Sequence, residues 1–331
     1  MYNGKCAAAE GTPAPEVFCG TGAGGFNAAV IASRLPGQFP SPVEYLESLW
    51  ADEIPREGLM RNNRVYRKRL DTLQFFDIPF MWRRPLKSWV LYLGDLGLLL
   101  PELCKRTMKS LFQGNYSSWL DLSIWREISP MQRLISESVN LGVIRDGESG
   151  SAPARVLRVV ATVKGTGRPH IFKNADFTEE VGHKAILASC ALPIIFPTVD
   201  IQGKEFFYGG LVMQAPLQPA IDAGSTTIHL ILNEPKLEQR QQGEAPNALE
   251  TLNRSVAVAL AATLEKDLET RRRMNASNGA NRVVVHQYRP KTLLGGNAGL
   301  LNFARENVQS FIAAGERDAS QHDCASSECI V

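Results

Sequence analysis

A glycine-rich turn near the start of the chain restricts its fold more than any other feature. Residues 20–25 read GTGAGG, follow the apolar run Val17-Phe18-Cys19, and precede the small-residue stretch FNAAVIA at 26–32. As G-x-G-x-x-G, with Gly20, Gly22 and Gly25, the turn would lay a pyrophosphate on a helix N-terminus. As G-x-S-x-G, it is a nucleophile elbow with glycine at the serine position. Both interpretations require a strand, a tight turn and a helix.

Composition narrows the class of protein. The chain has 331 residues, 44% hydrophobic and 21% charged, which is typical of a soluble globular protein with a large core. A net charge of +2 without a recognised module argues against nucleic-acid binding. The six cysteines form no C-x-x-C pair, so we expect neither a metal site nor a dense disulfide framework, and no cofactor. The oligomeric state stays open.

Membrane and export signals are not apparent in the sequence. The longest strongly apolar stretch, residues 89–100, contains Asp95 and is shorter than the roughly 20 residues that cross a bilayer. The N-terminus lacks the pattern of a secretory signal peptide. We therefore predict no transmembrane segment and a cytoplasmic location, with peripheral membrane contact as a further possibility.

The chain is predicted to form a single domain over 16–318, between a disordered tail at 1–15 and a flexible tail at 319–331. Apolar runs predict strands at 156–161, 226–232 and 282–285, and helices are predicted at 179–189, after 246, and at 303–314. Ser41 and Glu44 predict a capping box at a helix start. Continuous apolar strands that alternate with helices predict a mostly parallel sheet with helices on both faces.

A basic and aromatic segment, residues 61–110, interrupts this pattern. It carries eleven Lys or Arg against four Asp or Glu, interleaved with Phe75, Phe76, Phe80, Trp82 and Trp89. Such a segment can rest on an anionic lipid surface, because its cations attract headgroups while its rings enter the interface. An ordinary helical cap with a solvated face is an equally good interpretation.

The rest of the chain favours the elbow over the dinucleotide turn. A dinucleotide fold needs a second strand ending in an acidic residue soon after the first helix. After Leu35 this chain continues as PGQFPSP and then a predicted helix. The G-x-G-x-x-G pattern therefore lacks its supporting unit, and a dinucleotide-binding module is the least favoured alternative.

The segment at 186–231, ILASCALPIIFPTVDIQGKEFFYGGLVMQAPLQPAIDAGSTTIHLI, resembles the second half of patatin-like phospholipases. That pattern is a helix ending in A-S-x-A-x-P-x-x-F-x-P-V, a short hairpin, an aspartate before paired glycines, and P-x-x-P-A before a strand. The segment EVFCGTGAGGFNAAVIA at 16–32 is similar to the elbow of this family. Over roughly residues 16–318, the resemblance implies a three-layer α/β sandwich and lipid acyl ester hydrolysis without a cofactor.

The resemblance also assigns site positions, and two are substituted. The family uses an elbow serine and an aspartate base; these positions correspond to Gly22 and Tyr208. The motif glycines correspond to Gly20, Gly24, Gly25, Gly209 and Gly210. The family's Gly-Gly-Gly-x-x-Gly oxyanion loop has no match in residues 1–15, which implies a gap or an edge in the sheet. Hydrolysis by the serine–aspartate route is therefore expected to be lost.

Six other residues come into question as replacement catalytic groups: Ser189, Cys19, Cys190, His170, His183 and Asp200. We expect packing roles for the serine, the cysteines and the histidines, and Asp200 could reach the site only if its hairpin changed register. The predicted function is a patatin-like pseudoenzyme that binds acyl lipid or a phospholipid surface. The first alternative is an active hydrolase with a different nucleophile.

Overall fold

A computed structural model of the chain describes residues 16–35, 37–55, 63–68, 97, 100–101, 103–105, 107–108, 126–147, 155–193, 196–236, 248–277, 282–292, 294, 303–325, 327 and 329–330. The predicted N-terminal tail and most of the basic segment at 61–110 lie outside these residues.

The strands form one larger and two smaller sheets. Their bounds are β1 Val17–Thr21, β2 Arg67–Lys68, β3 Arg126–Glu127, β4 Val156–Val163, β5 Pro169–Lys173, β6 Val199–Ile201, β7 Lys204–Tyr208, β8 Thr227–Ile231 and β9 Val284–Tyr288. The larger sheet has the order β1-β4-β7-β6, with β5 also paired to β4. The smaller sheets pair β2 with β3 and β8 with β9.

The predicted helices are present with shifted ends, and three further helices, α3, α4 and α6, were not predicted. Their bounds are α1 Ala23–Ala32, α2 Pro42–Ser48, α3 Ser129–Ser138, α4 Leu141–Asp146, α5 Gly182–Cys190, α6 Leu217–Asp222, α7 Ala248–Ser277 and α8 Arg305–Ser320. A π-helix, Leu49–Glu53, and 3₁₀-helices at Asn174–Asp176 and Gly209–Leu211 are also present. The predicted capping box is confirmed, because the Glu44 N–H donates to Ser41 Oγ at 3.3 Å and the Ser41 N–H donates to Glu44 Oε2 at 2.9 Å.

The sheet is mixed, whereas apolar strands alone predict a mostly parallel one. β1 with β4 and β8 with β9 are parallel, while β4 with β5, β4 with β7 and β6 with β7 are antiparallel. Short turns account for two of these three antiparallel pairs, β4 with β5 and β6 with β7, because a tight turn joins only antiparallel strands. Gln202 and Gly203, both at positive φ, make the two-residue turn between β6 and β7. The α/β class itself is confirmed.

Strand β4 organises the core and aligns two other strands. Its residues Val159, Val160 and Ala161 are fully buried, and α1 and α5 pack against it and against each other. In the register, Thr21 at the end of β1 lies opposite Val160, and Tyr208 at the end of β7 lies opposite Ala161. The ends of β1 and β7 therefore meet at consecutive positions along β4. Among the described residues, β1 pairs with β4 alone.

The end of the chain packs against the β8–β9 sheet, although a flexible tail was predicted for 319–331. Ile330 and Val285 exchange two backbone hydrogen bonds, of 2.9 and 2.7 Å, and Ile330 is 4% exposed. The apolar side chain of Ile330 joins a second core with Val283, Val285 and Leu268, and its burial outweighs the polar character of the preceding residues. Among the described residues, no helix has the length and apolarity needed to span a bilayer.

Candidate active site

Gly22 forms the turn between β1 and α1. Its backbone has φ 59° and ψ −130°, a region that L residues other than glycine rarely adopt. Its carbonyl accepts the N–H of Phe26 at 3.1 Å, so the helix begins directly after the turn. This is the sharp strand-to-helix geometry of a nucleophile elbow.

Two of the neighbouring glycines allow close packing around the turn. A Cβ at Gly20 would overlap the carbonyl of Gly24, and a Cβ at Gly25 would lie 3.2 Å from Ser189 Oγ. At Gly24 an added Cβ would meet nothing within 4 Å. The close approach of the chain to itself therefore explains glycine at 20 and 25, but not at 24.

Ser189, on α5, connects the elbow to the central strand. Its Oγ accepts the N–H of Gly22 at 2.9 Å and donates to the carbonyl of Val160 at 2.6 Å. The side chain is fully buried. The expected packing role of Ser189 is confirmed, because both hydrogen bonds of its hydroxyl serve the backbone of the turn and of β4.

Tyr208 lies against the elbow. A Cβ added at Gly22 would be 2.6 Å from Tyr208 Cε2, inside the van der Waals distance. The backbone of Tyr208 is held on both sides, because its N–H donates to the Ala191 carbonyl at 2.8 Å and its carbonyl accepts Thr162 Oγ1 at 2.9 Å. The fold thus brings Gly22 and Tyr208, the positions that the resemblance assigns to the serine and the aspartate, into contact. The tyrosine ring lies directly beside the turn.

The surroundings of Tyr208 keep its hydroxyl protonated. Burial raises the pKa of Tyr208 to about 12, with further contributions from the negative charge of Glu234 and from Cys190. At neutral pH the phenol is then a hydrogen-bond donor with almost no basicity. Sequence reasoning missed Glu234, because it follows β8 in a loop and belongs to no motif.

The paired glycines after Tyr208 are required by contacts. A Cβ at Gly209 would overlap the carbonyl of Val160 on β4. A Cβ at Gly210 would lie 2.5 Å from the hydroxyl oxygen of Tyr208. The glycine pair therefore lets the chain turn closely around both β4 and the tyrosine ring.

The two cysteines near the elbow are poor nucleophiles. Burial raises the pKa of Cys19 to about 12, although the charge of Arg158 acts in the opposite direction. Burial alone raises the pKa of Cys190 to about 12. Because the thiolate is the reactive form, both thiols are largely unreactive at neutral pH.

The remaining candidates make structural contacts. His170 packs edge-on against Phe172 and Phe206, with ring centroids at 4.6 and 5.5 Å. His183 Nε2 lies 3.3 Å from the Val139 carbonyl, and Asp200 Oδ1 accepts the N–H of Gly203 at 3.2 Å in the β6–β7 turn. The structural roles expected for the histidines fit these contacts, and the hairpin keeps Asp200 in its own turn.

Two cavities lie in the described part of the chain away from the elbow. One of about 390 Å³ is lined by residues around the C-terminal end of α1 and the N-terminal end of α4, including Ser33, Arg34 and His183. A second of about 300 Å³ lies between Tyr45, Arg64 and Leu134. Neither of these two cavities is lined by Gly22 or Tyr208.

The geometry of the turn also argues against a dinucleotide. The Gly22 N–H, at the N-terminus of α1, already donates to Ser189 Oγ. After α1 the described chain continues into α2 and the π-helix, where a dinucleotide fold would place a second parallel strand. The elbow interpretation of residues 20–25 is the one that fits.

Comparison with known proteins identifies a family. The model of the patatin-like phospholipase family matches residues 7–221. The crystal structure of VipD from Legionella pneumophila aligns with a TM-score of 0.37 and 12% identity, over 92% of this chain and 61% of that chain. This chain thus spans less than two thirds of the VipD chain, and the similarity is too low to assign residues. No curated protein matches the sequence.

Proposed function

The chain belongs to the patatin-like phospholipase family, and we propose that it is a member that keeps the elbow framework but does not hydrolyse lipid esters by the serine–aspartate route. The three-layer α/β sandwich of this family, with a mixed sheet, is the fold of the chain. In this chain, Gly22 and Tyr208 occupy the positions of the family's serine and aspartate.

One observation carries the proposal: the Tyr208 ring lies where a side chain at position 22 would have to be. Glycine offers no hydroxyl, and an added Cβ would be only 2.6 Å from Tyr208 Cε2. With a pKa of about 12, Tyr208 cannot act as a base at neutral pH. Both the nucleophile and the base of the covalent route are therefore missing from these positions.

The neighbouring side chains do not offer a replacement nucleophile. The hydroxyl of Ser189 is buried and engaged with Gly22 and Val160. The thiols of Cys19 and Cys190 are protonated at neutral pH. An active hydrolase with a different nucleophile is therefore less favoured than a pseudoenzyme.

Binding of an acyl lipid is the second part of the proposal. Its support is membership of a family named for action on phospholipids. We place the contact at a membrane surface in the cytoplasm and assign it to the basic and aromatic segment at 61–110, most of which lies outside the described residues. That segment carries the cations and rings that anionic lipid interfaces attract.

Ester hydrolysis by the purified protein tests the first part. The parent, Gly22→Ser and Gly22→Ser/Tyr208→Asp would be compared on a short-chain chromogenic ester and on a phospholipid. We expect no turnover by the parent or the single variant, because the single variant lacks a base and keeps the ring. Turnover by the double variant alone would support the assigned positions, and turnover by the parent would contradict the proposal.

Sedimentation with lipid vesicles tests the second part. Vesicles of phosphatidylserine and phosphatidylcholine would be compared with phosphatidylcholine alone. We expect binding to the anionic vesicles that weakens with salt and is reduced by Arg83→Gln/Arg84→Gln/Lys87→Gln. A variant with three changes outside the segment, Arg271→Gln/Arg272→Gln/Arg273→Gln on α7, is the matched charge control. Absence of binding at low salt would contradict this part.

A further inference from the structure

Four side chains that can ligate a metal meet beside the β8–β9 sheet. His286 lies on β9, His322 lies just after α8, and Cys324 and Cys329 lie in the segment that follows; we call these four residues the C-terminal cluster. One donor atom from each lies within 4.8 Å of all the others. The family match ends at residue 221, so the cluster lies beyond the region that the family model describes.

The distances in the C-terminal cluster approach those of a tetrahedral zinc site. Cys324 Sγ lies 3.4 Å from His286 Nδ1, and Cys329 Sγ lies 3.5 Å from His322 Nε2. Zinc binds sulfur at about 2.3 Å and imidazole nitrogen at about 2.0–2.1 Å, so tetrahedral geometry separates such ligands by about 3.6 Å. A zinc ion could therefore be accommodated with small side-chain adjustments.

The donor set also selects the metal. Two imidazoles and two sulfurs are the ligands of structural zinc sites, whereas calcium and magnesium require oxygen ligands. His286 and His322 are 9% and 5% exposed, so both rings are held inside the protein. A partly shielded Cys₂His₂ set favours zinc among the abundant divalent ions.

The backbone around the C-terminal cluster holds the donors in place. The N–H of Gln287 donates to Cys329 Sγ at 3.4 Å, and the N–H of Cys329 donates to the Cys324 carbonyl at 3.0 Å. The ring of Tyr288 stacks on His322 with centroids 4.3 Å apart. Ordered ligands of this kind lose little entropy when the metal binds.

The two cysteines differ in oxidation state. Cys329 is a free thiol, whereas Cys324 is disulfide-bonded. A disulfide sulfur has no thiol proton to lose and is a poor ligand, because zinc binds the thiolate. The complete donor set thus requires that the disulfide of Cys324 be reduced.

We propose that His286, His322 and Cys329 are the fixed ligands of a zinc site and that Cys324 becomes its fourth ligand when a dithiol reductant opens the disulfide. The reductant transfers two electrons and two protons to the disulfide, which releases the Cys324 thiol and its partner thiol, and the reductant itself becomes a disulfide. Zinc binding then displaces one proton from each of Cys324 and Cys329 to solvent. The site would tie the end of the chain to β9.

Metal binding by the reduced and oxidised full-length chain tests the proposal. The protein would be treated with a dithiol, desalted under argon, and titrated with Zn²⁺ against a chromophoric chelator. Titration with Co²⁺ would report the ligands through its absorption spectrum. We expect one metal per reduced chain, a tetrahedral Co²⁺ spectrum with a thiolate charge-transfer band, and at least tenfold weaker binding to the oxidised chain.

Variants separate the C-terminal cluster from other thiols and histidines. Cys329→Ser and His286→Gln should each weaken zinc binding at least tenfold, while Cys104→Ser and His183→Gln, outside the cluster, should leave it unchanged. The spectrum of the unmodified reduced chain gives the answer even if a variant fails to fold. An octahedral spectrum without a thiolate band, no metal binding, or equal affinity in the two oxidation states would overturn the proposal.

Discussion

The elbow and the C-terminal cluster differ in what the fold has preserved. At the elbow, the backbone has the geometry of a nucleophile elbow, yet the positions that the resemblance assigns to a serine and an aspartate carry Gly22 and Tyr208. In the C-terminal cluster, four donor side chains converge within 4.8 Å although they belong to no motif of the family. The first region has the backbone of an elbow with neither serine nor aspartate at these two positions, and the second groups metal-binding side chains outside the residues that the family model matches.

The contacts that fix the backbone at the elbow are independent of the side chains that could carry out chemistry. Glycine is required at positions 20, 209 and 210 because a Cβ there would overlap neighbouring backbone or the Tyr208 ring. This requirement holds whether or not the site is catalytic. The donors of the C-terminal cluster are independent of those contacts. The packing at the elbow and the donor set of the C-terminal cluster can therefore change independently.

The largest expected effect comes from the elbow glycines. Gly20→Ala would push a Cβ into the Gly24 carbonyl, and we expect it to lower the free energy of unfolding by more than about 4 kcal/mol. Gly24→Ala is the matched control: it meets nothing within 4 Å on α1, and should be neutral or stabilise by up to about 1 kcal/mol. Urea unfolding measures both. Equal stability of the two variants would refute the close packing of the turn.

The contact between Gly22 and Tyr208 is the next test. Gly22→Ala should cost about 3 kcal/mol, because it adds a strained positive φ and displaces the Tyr208 ring. In a Tyr208→Ala background the ring is gone, so the same change should cost less, with a coupling free energy of about 1–3 kcal/mol. A double-mutant cycle in urea gives this value, and strict additivity would count against the ring's position.

Zinc provides a smaller effect, confined to the C-terminal cluster. For the reduced chain, zinc at 100 times its Kd should raise the free energy of unfolding by about 2.7 kcal/mol, and a chelator should remove the gain. Cys329→Ser should show no shift with zinc. If zinc raised the free energy of unfolding of Cys329→Ser by a similar amount, the metal would bind outside the C-terminal cluster, and the proposed role of that cluster would be wrong.

Thiol reactivity should distinguish the cysteines without affecting stability. Burial raises the pKa of Cys19 and Cys190 from 9.0 to about 12, so the thiolate fraction near pH 8 falls by about a thousandfold. Peptide mapping after brief alkylation should show Cys104, which is exposed, modified first. Rapid modification of Cys190 in the folded protein would reopen the question of a cysteine nucleophile.

The sequence predicted the local elements better than the sheet pairing. The glycine turn and the Ser41 cap could be predicted because each depends on a few neighbouring residues. The mixed sheet could not be inferred from continuous apolar runs, because the antiparallel strands β5, β6 and β7 are short and partly exposed and so do not form such runs. The positive φ of Gln202, which helps to form the β6–β7 turn, has no signal in the residue type.

The C-terminal cluster shows a different limit of sequence reasoning. The spacing of His322, Cys324 and Cys329 is a weak signal on its own, and His286 lies on a strand thirty-six residues earlier. The docking of Ile330 beside Val285 and the hydrogen bond from the Gln287 N–H to Cys329 Sγ hold the C-terminal segment against β9, where His286 lies. The same docking makes the C-terminal tail part of the core, which polar composition alone did not indicate.

Covalent labelling with a serine-directed fluorophosphonate, read by intact mass beside ester turnover, tests whether the protein lacks an activated nucleophile. The probe reacts only with a hydroxyl activated as a nucleophile, and an active serine lipase serves as the positive control. If the elbow has no catalytic nucleophile, the parent should keep an unmodified mass and should not turn over the phospholipid. Stoichiometric labelling of the parent at Ser189, or at any other residue, together with turnover would contradict it.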